Sequence, residues 1–574
     1  MSIQTIYTEQ NNCQDCYKCI RHCPVKAIKI EDHRASVVQE LCIYCGKCVD
    51  ICPAGAKKVR DDLSAARYLV DEHQVVLSLA PSYLAEFQDY GKNQLIQALY
   101  KLGFKQVSET AIGAEMVSHA TNQWLSRQEP GTWFSSCCPA VVQYICKYQP
   151  RHAHRLAPVG SPMQAHAQYI KSHHPSQTKV IFAGPCIAKK QEAEHIAREV
   201  DLALTFDELR SWLEEEGLSA EFLGEAQTTS QEISTEQAAR GAYYPVEGGM
   251  IATMNRNAGI TDTSFMSFTG IQNIRQILEH SSEQQEEKIF IELMACEGGC
   301  INGPIMSTSH SLATRRWRTL QETQKRPDTT RYNEYLGSQI NFADAIKPFS
   351  RSKHSEQEIR EALKTVGKVS EKDELNCGGC GYESCRQFAL AMLEGKAEQQ
   401  MCVSYMRRVA QNKATVLLQK MPYGVVLVDE HMRIIESNEN FARLLGPEAE
   451  KLYQMKPGME GANLSKLTSF HKLFANALEQ GLEEVDKDLP LDDKLLHLSI
   501  FSIHKHKIVC GIVHQLNEEH LAKDQLINRL QEVIRDNLST AQKASFLLGE
   551  NASRTETKLN TIIDSFNQDL KRNG

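Results

Sequence analysis

The sequence predicts a multidomain chain of mixed α/β and α+β class, and three observations predict it. Its 574 residues exceed one domain, at about 100 to 200 residues per domain. Its 19 cysteines are grouped in three blocks. Short apolar runs alternate with helical stretches through residues 75–305, the pattern of parallel strands in an α/β sheet. A composition of 41% hydrophobic and 24% charged residues is that of ordinary globular protein with several cores. The net charge of −8, from 64 basic and 72 acidic residues, is too balanced to call for nucleic acid or an anionic membrane. The N-terminus Met1–Tyr7 lacks a basic region leading into an apolar one, and no apolar run reaches about 18 residues. A cytoplasmic protein with reduced, metal-binding thiols is therefore expected, with no membrane and no nucleic-acid partner.

The first cysteine block (1–65) is Cys13-x2-Cys16-x2-Cys19-x3-Cys23-Pro24, repeated 29 residues later as Cys42-x2-Cys45-x2-Cys48-x3-Cys52-Pro53. Three close cysteines curl the chain around one face of a cluster. In the bacterial ferredoxin pattern, which this block resembles, the Pro-flanked fourth cysteine reaches across to the other cluster. The expected ligand sets are crossed: Cys13, Cys16, Cys19 and Cys52 for one [4Fe-4S] cluster, and Cys23, Cys42, Cys45 and Cys48 for the other. Zinc motifs usually pair two CxxC units or CxxC with HxxxH, not two runs of four.

The second block (66–350) holds three segments, each placed after a brief apolar run: Thr132-Trp-Phe-Ser-Ser-Cys137-Cys138-Pro139, Val180-Ile-Phe-Ala-Gly-Pro185-Cys186-Ile-Ala-Lys189-Lys190, and Phe290-Ile-Glu-Leu-Met294-Ala-Cys296-Glu-Gly-Gly-Cys300-Ile-Asn-Gly303. In parallel sheets ligands bind outside the strand C-termini, so the three segments can converge on one site. Thiolates suit iron-sulfur ligation, a Lys can hydrogen-bond an anionic metal ligand, and Gly298, Gly299 and Gly303 permit close backbone approach. Cys146, on a helix expected over 141–148, is read as packing.

At these residues the sequence resembles the iron-only ([FeFe]) hydrogenase family, whose signatures are TSCCP, PCxxKK and ExMACxxGCxxG. The resemblance covers roughly residues 1–305. It implies a two-lobed α/β core with parallel sheets, and that Cys138, Cys186, Cys296 and Cys300 hold the [4Fe-4S] part of an H-cluster. In that cofactor the Cys300 sulfur also bridges to a di-iron unit with CO, cyanide and a dithiolate. It further implies Cys137 as proton-relay thiol, Lys189 as donor to an iron-bound cyanide, and Met294 packed against the di-iron unit. The implied chemistry is reversible, H2 to two protons and two electrons. Three positions depart from the hydrogen-producing members. Val141 stands where they carry an aromatic and Gly184 where they often carry methionine, and the stretch 113–122 lacks their proton-passing glutamates. Glu115 and His119 are the candidates for a substitute route. An altered relay would lower turnover.

The third block (355–412), Cys377-x2-Cys380-x4-Cys385-x16-Cys402, resembles a small four-cysteine [4Fe-4S] domain of redox proteins. The spacing alone also allows zinc, and the neighbouring clusters favour iron. Its place in the chain suggests a link between the core and the C-terminal part. Residues 305–350 show no clear periodicity and read as a peripheral loop insertion. A short amphipathic helix is expected over 356–366.

Residues 415–516 resemble a PAS domain. Val425–Glu430 and Arg433–Ser437 read as strands, Asn438 opens a helix ending at Gly446, and Leu496–Ile503 and Lys507–Val513 supply later strands. An unliganded α+β dimerisation module is the other reading. His504 and His506, in a hairpin turn, offer no clear haem ligand, and Cys510 reads as core. Residues 517–574 read as a helical dimerisation or output hairpin: an apolar stripe from Ile527 to Leu548, a stop at Gly549, and a capping box at Ser553–Glu556.

The function expected is an H2-reactive iron-sulfur enzyme passing a redox signal to a PAS and helical output. Its expected partners are ferredoxin or another electron carrier, hydrogenase maturation proteins, a signalling protein and a second copy in a homodimer. The alternatives are a metabolic ferredoxin-linked hydrogenase, and a non-catalytic electron carrier or iron-sulfur assembly factor.

Overall fold

The computed structural model describes residues 4–220, 237–254, 262–280, 286–307, 309–327, 332, 334–337, 339–350, 352–491 and 494–516. The chain divides into two units, 1–364 with 368–398, and 365–367 with 399–574.

The first unit opens with a ribbon that ties both ends of the cysteine repeat together. Strand β1 (Ile6–Thr8) pairs antiparallel with the later strand Lys57–Val59, and β2 (Ile28–Glu31) pairs with β3 (Arg34–Val37) between the two cysteine runs. Short helices, Lys18–His22 and Lys47–Asp50, follow the first two cysteines of each run. Gly46 takes a positive φ of 76°, and a Cβ there would lie 2.5 Å from Pro304 Cγ and 2.7 Å from Ile187 Cδ1. Only glycine lets this segment dock so closely on the core.

The core contains two parallel sheets, as the two-lobed α/β expectation had it. With β4 as Lys57–Val59, the first sheet has the order β6-β5-β8-β9, from β5 (Val75–Leu79), β6 (Gln106–Glu109), β8 (Lys179–Gly184) and β9 (Leu202–Thr205). The second has the order β10-β11-β7, from β7 (Gly131–Phe134), β10 (Thr263–Thr269) and β11 (Lys288–Met294). Every residue of β5 is buried, as expected of a parallel strand covered on both faces. Helices Ala111–Leu125 and Pro162–His173 lie close together because Gly113 has no side chain; a Cβ there would lie 2.2 Å from Pro162 O.

The expected loop at 305–350 contains a helix, Leu312–Gln324, whose N-cap Ser311 accepts from Thr314 N–H. Its buried residues are Arg315, Thr319 and Thr323, so hydropathy carries no trace of it. Arg315 donates to Ile301 O at 2.9 Å and to Asn302 Oδ1 at 3.0 Å, bracing the loop after Cys300. The expected helix at 356–366 is observed as Glu356–Thr365.

The second unit contains the helix Val403–Lys420 and one antiparallel sheet of order β13-β12-β16-β15-β14. Its strands are β12 (Gly424–Asp429), β13 (Ile434–Ser437), β14 (Glu484–Leu491), β15 (Lys494–His504) and β16 (Ile508–Gln515). Asn438 caps the helix Glu439–Leu445 by accepting from Phe441 N–H, as its sequence position suggested. Phe441, Phe470 and Phe474 fill the interior, and Cys510 is buried. The expected hairpin at 517–574 lies outside the described residues. Among the described residues no helix is long and apolar enough to cross a membrane.

Candidate functional site

The C-terminal ends of β5, β6, β7, β8 and β11 open onto one cavity of about 110 Å³. From the second sheet come Cys137 and Cys138 after β7, and Met294, Cys296 and Cys300 at and after β11. From the first come Ser82 after β5, Thr110 after β6, and Cys186 and Lys189 after β8. All seven residues that the second cysteine block nominated therefore line one cavity. The chain is anchored around them. Ser135 Oγ accepts from Leu293 N–H at 3.0 Å, and Ser136 Oγ donates to Val159 O at 2.6 Å. Gly299 has φ +101°, and a Cβ there would lie 2.4 Å from Pro245 O, so the loop carrying Cys296 and Cys300 approaches only as glycine. The space a side chain at Gly184 would take is held by the Phe182 ring, 2.6 Å from the Cβ position.

Burial dominates the electrostatics. It pushes the Cys186 thiol up to about 11 and the Cys137, Cys296 and Cys300 thiols higher still. Cluster binding must therefore displace protons. Burial also disfavours the Lys189 ammonium, but the Glu192 carboxylate at 2.7 Å outweighs it and raises the pKa. Cys137 Sγ lies 3.4 Å from Met250 Sδ and within hydrogen-bond reach of Tyr244, whose hydroxyl meets Ser118 Oγ at 2.7 Å.

Three lining groups were not nominated by the sequence. Glu292 is 2% exposed, and burial pushes its carboxyl up to about 7 while it accepts from the N–H groups of Met250 and Ile251, both at 3.3 Å. Ser82 Oγ is buried and has no partner among the described residues, an orphaned donor beside the cavity. Tyr244 comes from a segment without a motif. For Glu292 a signal existed: it lies two residues before Met294 on β11, so both face the same side.

The two candidates for a substitute proton route do not line the cavity. Glu115 Oε1 accepts from the N–H groups of Ala239 (2.6 Å) and Gly241 (3.3 Å), holding a loop. His119 is bonded to Gln123 on the outward side of its helix. Both lie on the helix Ala111–Leu125. Cys146 is 1% exposed in the core.

In the first cysteine block, Cys13, Cys16, Cys19 and Cys52 line a second cavity. The buried Cys48 thiol is pushed up by burial and then by its neighbours Cys23, Cys45 and Cys42. The crossed grouping is thus the spatial one. Cys45 also lines the core cavity with Cys296. Lys147 Nζ donates to Cys42 O at 2.8 Å and Tyr148 hydroxyl to Leu41 O at 2.6 Å, so the helix that begins after Cys138 clamps this loop at its other end. Among the described residues no three thiol, imidazole or carboxylate groups close on a point that one metal ion would fill.

In the third block, Cys377, Cys380 and Cys385 belong to the first unit, while Cys402 caps the helix Val403–Lys420 of the second. The segment around the first three packs on the ferredoxin-like segment: Ile30 N–H donates to Lys396 O at 2.9 Å, and a Cβ on Gly381 would lie 2.8 Å from Ile20 Cγ2.

Comparison with known proteins agrees with this anatomy. Residues 5–53 match a 4Fe-4S dicluster domain, residues 73–304 the C-terminal domain of the iron only hydrogenase large subunit, and residues 373–404 a putative Fe-S cluster domain. Iron hydrogenase 1 of Clostridium pasteurianum is 24% identical over 287 residues, 40% of this chain and 50% of that protein. A cytosolic Fe-S cluster assembly factor of Danio rerio is 24% identical over 298 residues, 41% of this chain and 72% of that protein. Among solved structures, a variant of the [FeFe]-hydrogenase of Chlamydomonas reinhardtii has 18% identity and a TM-score of 0.39, covering 50% of this chain and 98% of that one. The chain spans half the length of the Clostridium relative. It is a hydrogenase-like iron-sulfur protein.

Proposed function

We propose that the chain holds an H-cluster at Cys138, Cys186, Cys296 and Cys300 and two ferredoxin-type [4Fe-4S] clusters, and that it reacts reversibly with H2. One observation carries this reading. Besides the four thiols the cavity is lined by Cys137, Lys189, Met294, Ser82 and Glu292, which a cluster that only carries electrons does not need. Ser82 supplies a buried donor without a partner and Lys189 a buried cation, the pair that anionic cyanide ligands call for. When bound, the di-iron unit supplies the centre at which H2 and two protons plus two electrons interconvert.

The chain's own residues handle the protons and exclude water. Cys137 Sγ, neutral at physiological pH, holds a proton at the cavity wall. Glu292 exchanges it, being close to half-ionised near neutrality. Glu247, partly exposed and felt by Glu292, leads outward. Met294 and Phe182 keep the wall apolar. Cys23, Cys42, Cys45 and Cys48 would hold a cluster next to the cavity and Cys13, Cys16, Cys19 and Cys52 one farther from it, and together these would supply a path for electrons.

The third block is proposed to hold a further [4Fe-4S] cluster. The β13-β12-β16-β15-β14 sheet with its Asn-capped helix supports a PAS-type module, and hence an H2 or redox sensor acting through a signalling partner, as a homodimer. Ferredoxin or another carrier takes the electrons, and hydrogenase maturation proteins supply the di-iron unit.

Similarity to the Danio rerio assembly factor favours a second reading, a non-catalytic iron-sulfur protein. Infrared spectra of the full chain after anaerobic maturation separate the two. Bands of metal-bound CO and cyanide that shift under H2 are expected. An iron-loaded chain without them would overturn the hydrogenase reading.

A further inference from the structure

Lys57 is a buried cation without a buried anion. It lies on β4 in register with Thr8, is 3% exposed, and its Nζ donates to Thr8 Oγ1 at 2.5 Å and Ala35 O at 3.1 Å. Both acceptors are neutral, and no carboxylate among the described residues pairs with it. An ammonium withdrawn from water in this way is costly unless a negative charge stands nearby.

The negative charge that the fold places there is a set of thiolates. Lys57 lines the same cavity as Cys13, Cys16, Cys19 and Cys52. Ala35, whose carbonyl accepts from Lys57, donates its N–H to Cys13 Sγ at 3.5 Å, so cation and ligand are held by one residue. Of the charges around Cys19, itself 8% exposed, Lys57 acts most strongly, whereas at Cys42 and Cys48 of the other site it ranks behind the neighbouring thiols. The two ferredoxin-type sites also differ in place: Cys45 of one lines the core cavity, whereas none of the four cysteines of the other does. The Cys13 site is therefore the outer one.

We propose that Lys57 is the buried counter-ion of the outer cluster and raises its reduction potential, which favours electrons at the end of the relay farther from the H2 cavity. The inference rests on the reading that a [4Fe-4S] cluster occupies this site. Reduction adds one negative charge to a cluster held by four thiolates, and a fixed cation stabilises the more negative form the more, because the surrounding medium is of low dielectric. Lys57 is thus a positioning residue, acting on the potential and not on H2.

The test is an EPR-monitored redox titration of the anaerobically reconstituted full chain, with Lys57→Met and Lys57→Arg beside the wild type. The outer cluster is identified as the signal that Cys16→Ser removes or alters. With iron content retained, Lys57→Met is expected to lower the reduction equilibrium constant of that signal about tenfold, about 59 mV for a one-electron couple. Lys57→Arg is expected to stay close to the wild type. Loss of the outer cluster in Lys57→Met but not in Lys57→Arg would equally mark a requirement for charge. Unchanged potentials in Lys57→Met, or loss of the cluster in both variants, would overturn the proposal. A wild-type chain with no reducible signal sensitive to Cys16→Ser would instead overturn the cluster assignment itself.

Discussion

Glu292 and Cys137 divide one task through opposite properties. Burial keeps the Cys137 thiol protonated throughout the neutral range, whereas it brings Glu292 to about 7, where either protonation state is accessible. As a carboxylate Glu292 accepts a proton released by H2 oxidation, so oxidation should rise with pH through about 7. As an acid it donates, so H2 evolution should fall over the same range. Glu292→Gln keeps one oxygen, which can accept from the N–H of Met250 or of Ile251 but not from both as the two carboxylate oxygens do, and it cannot titrate. It should lower turnover about 10²-fold and flatten both profiles, with cluster content unchanged. Dye-linked assays across about pH 5 to 9 check this, and an unaltered profile would remove Glu292 from the route. Cys137→Ala should cost about 10²- to 10⁴-fold in turnover while sparing the CO and cyanide bands. Loss of the bands would give Cys137 a role in holding the cofactor instead. The cysteines were legible from their segments and from the resemblance that those segments carry. Glu292 was visible only as alternation with Met294, while Ser82 and Tyr244 had no motif to mark them.

At the scale of elements, His166 shows how a helix is fastened to a parallel sheet. From the helix Pro162–His173 its Nδ1 meets Ser78 Oγ on β5 at 2.8 Å and its Nε2 meets Ser108 Oγ on β6 at 2.9 Å. Burial holds the imidazole down at about 3 against an ordinary 6.5. Below 6.5 the unfolded chain takes up a proton that the folded chain refuses until about pH 3. The contribution of His166 to stability is therefore intact above 6.5 and declines as pH falls towards 3, by about 1.4 kcal/mol per pH unit. His166→Gln should be less stable at neutral pH yet lose this part of the acid sensitivity. Urea unfolding of both proteins at several pH values checks it; parallel pH dependences would show that His166 is not the titrating group. The helix Leu312–Gln324 makes the complementary point, since a helix that buries Arg315, Thr319 and Thr323 satisfies its polar groups by hydrogen bonds and leaves no apolar periodicity to read.

At the scale of the molecule, two parallel sheets turn their strand ends toward one cavity, and a ferredoxin-like segment docks against it through Gly46. Neither sheet alone could build the site, because Cys186 and Lys189 follow a strand of one and Cys138, Cys296 and Cys300 follow strands of the other. A sensor role predicts that the reduction of the clusters under H2 alters the second unit. Hydrogen exchange across residues 415–516 of the matured full chain should then differ between H2 and argon, since a switch needs a difference in free energy between its states. Equal exchange, in a chain whose clusters are demonstrably reduced by H2, would leave the enzyme without a sensing output.

The sequence by itself marked the runs of three cysteines in the ferredoxin-like repeat, because their two-residue spacing records the curl of the chain, while the distant fourth ligands and the set Cys138, Cys186, Cys296 and Cys300 came from the family resemblance. It also marked the strands that lead into them and the Asn438 cap, which are local preferences of the backbone. The tertiary structure alone decided which uncharged and ionisable groups complete the cavity, which strands pair in each of the two sheets, and that Lys57 lies buried beside the outer cysteines. Those facts depend on pairing between strands far apart in the chain, as when Thr8 meets Lys57 or Ile291 meets Phe134, and no local pattern encodes the partner.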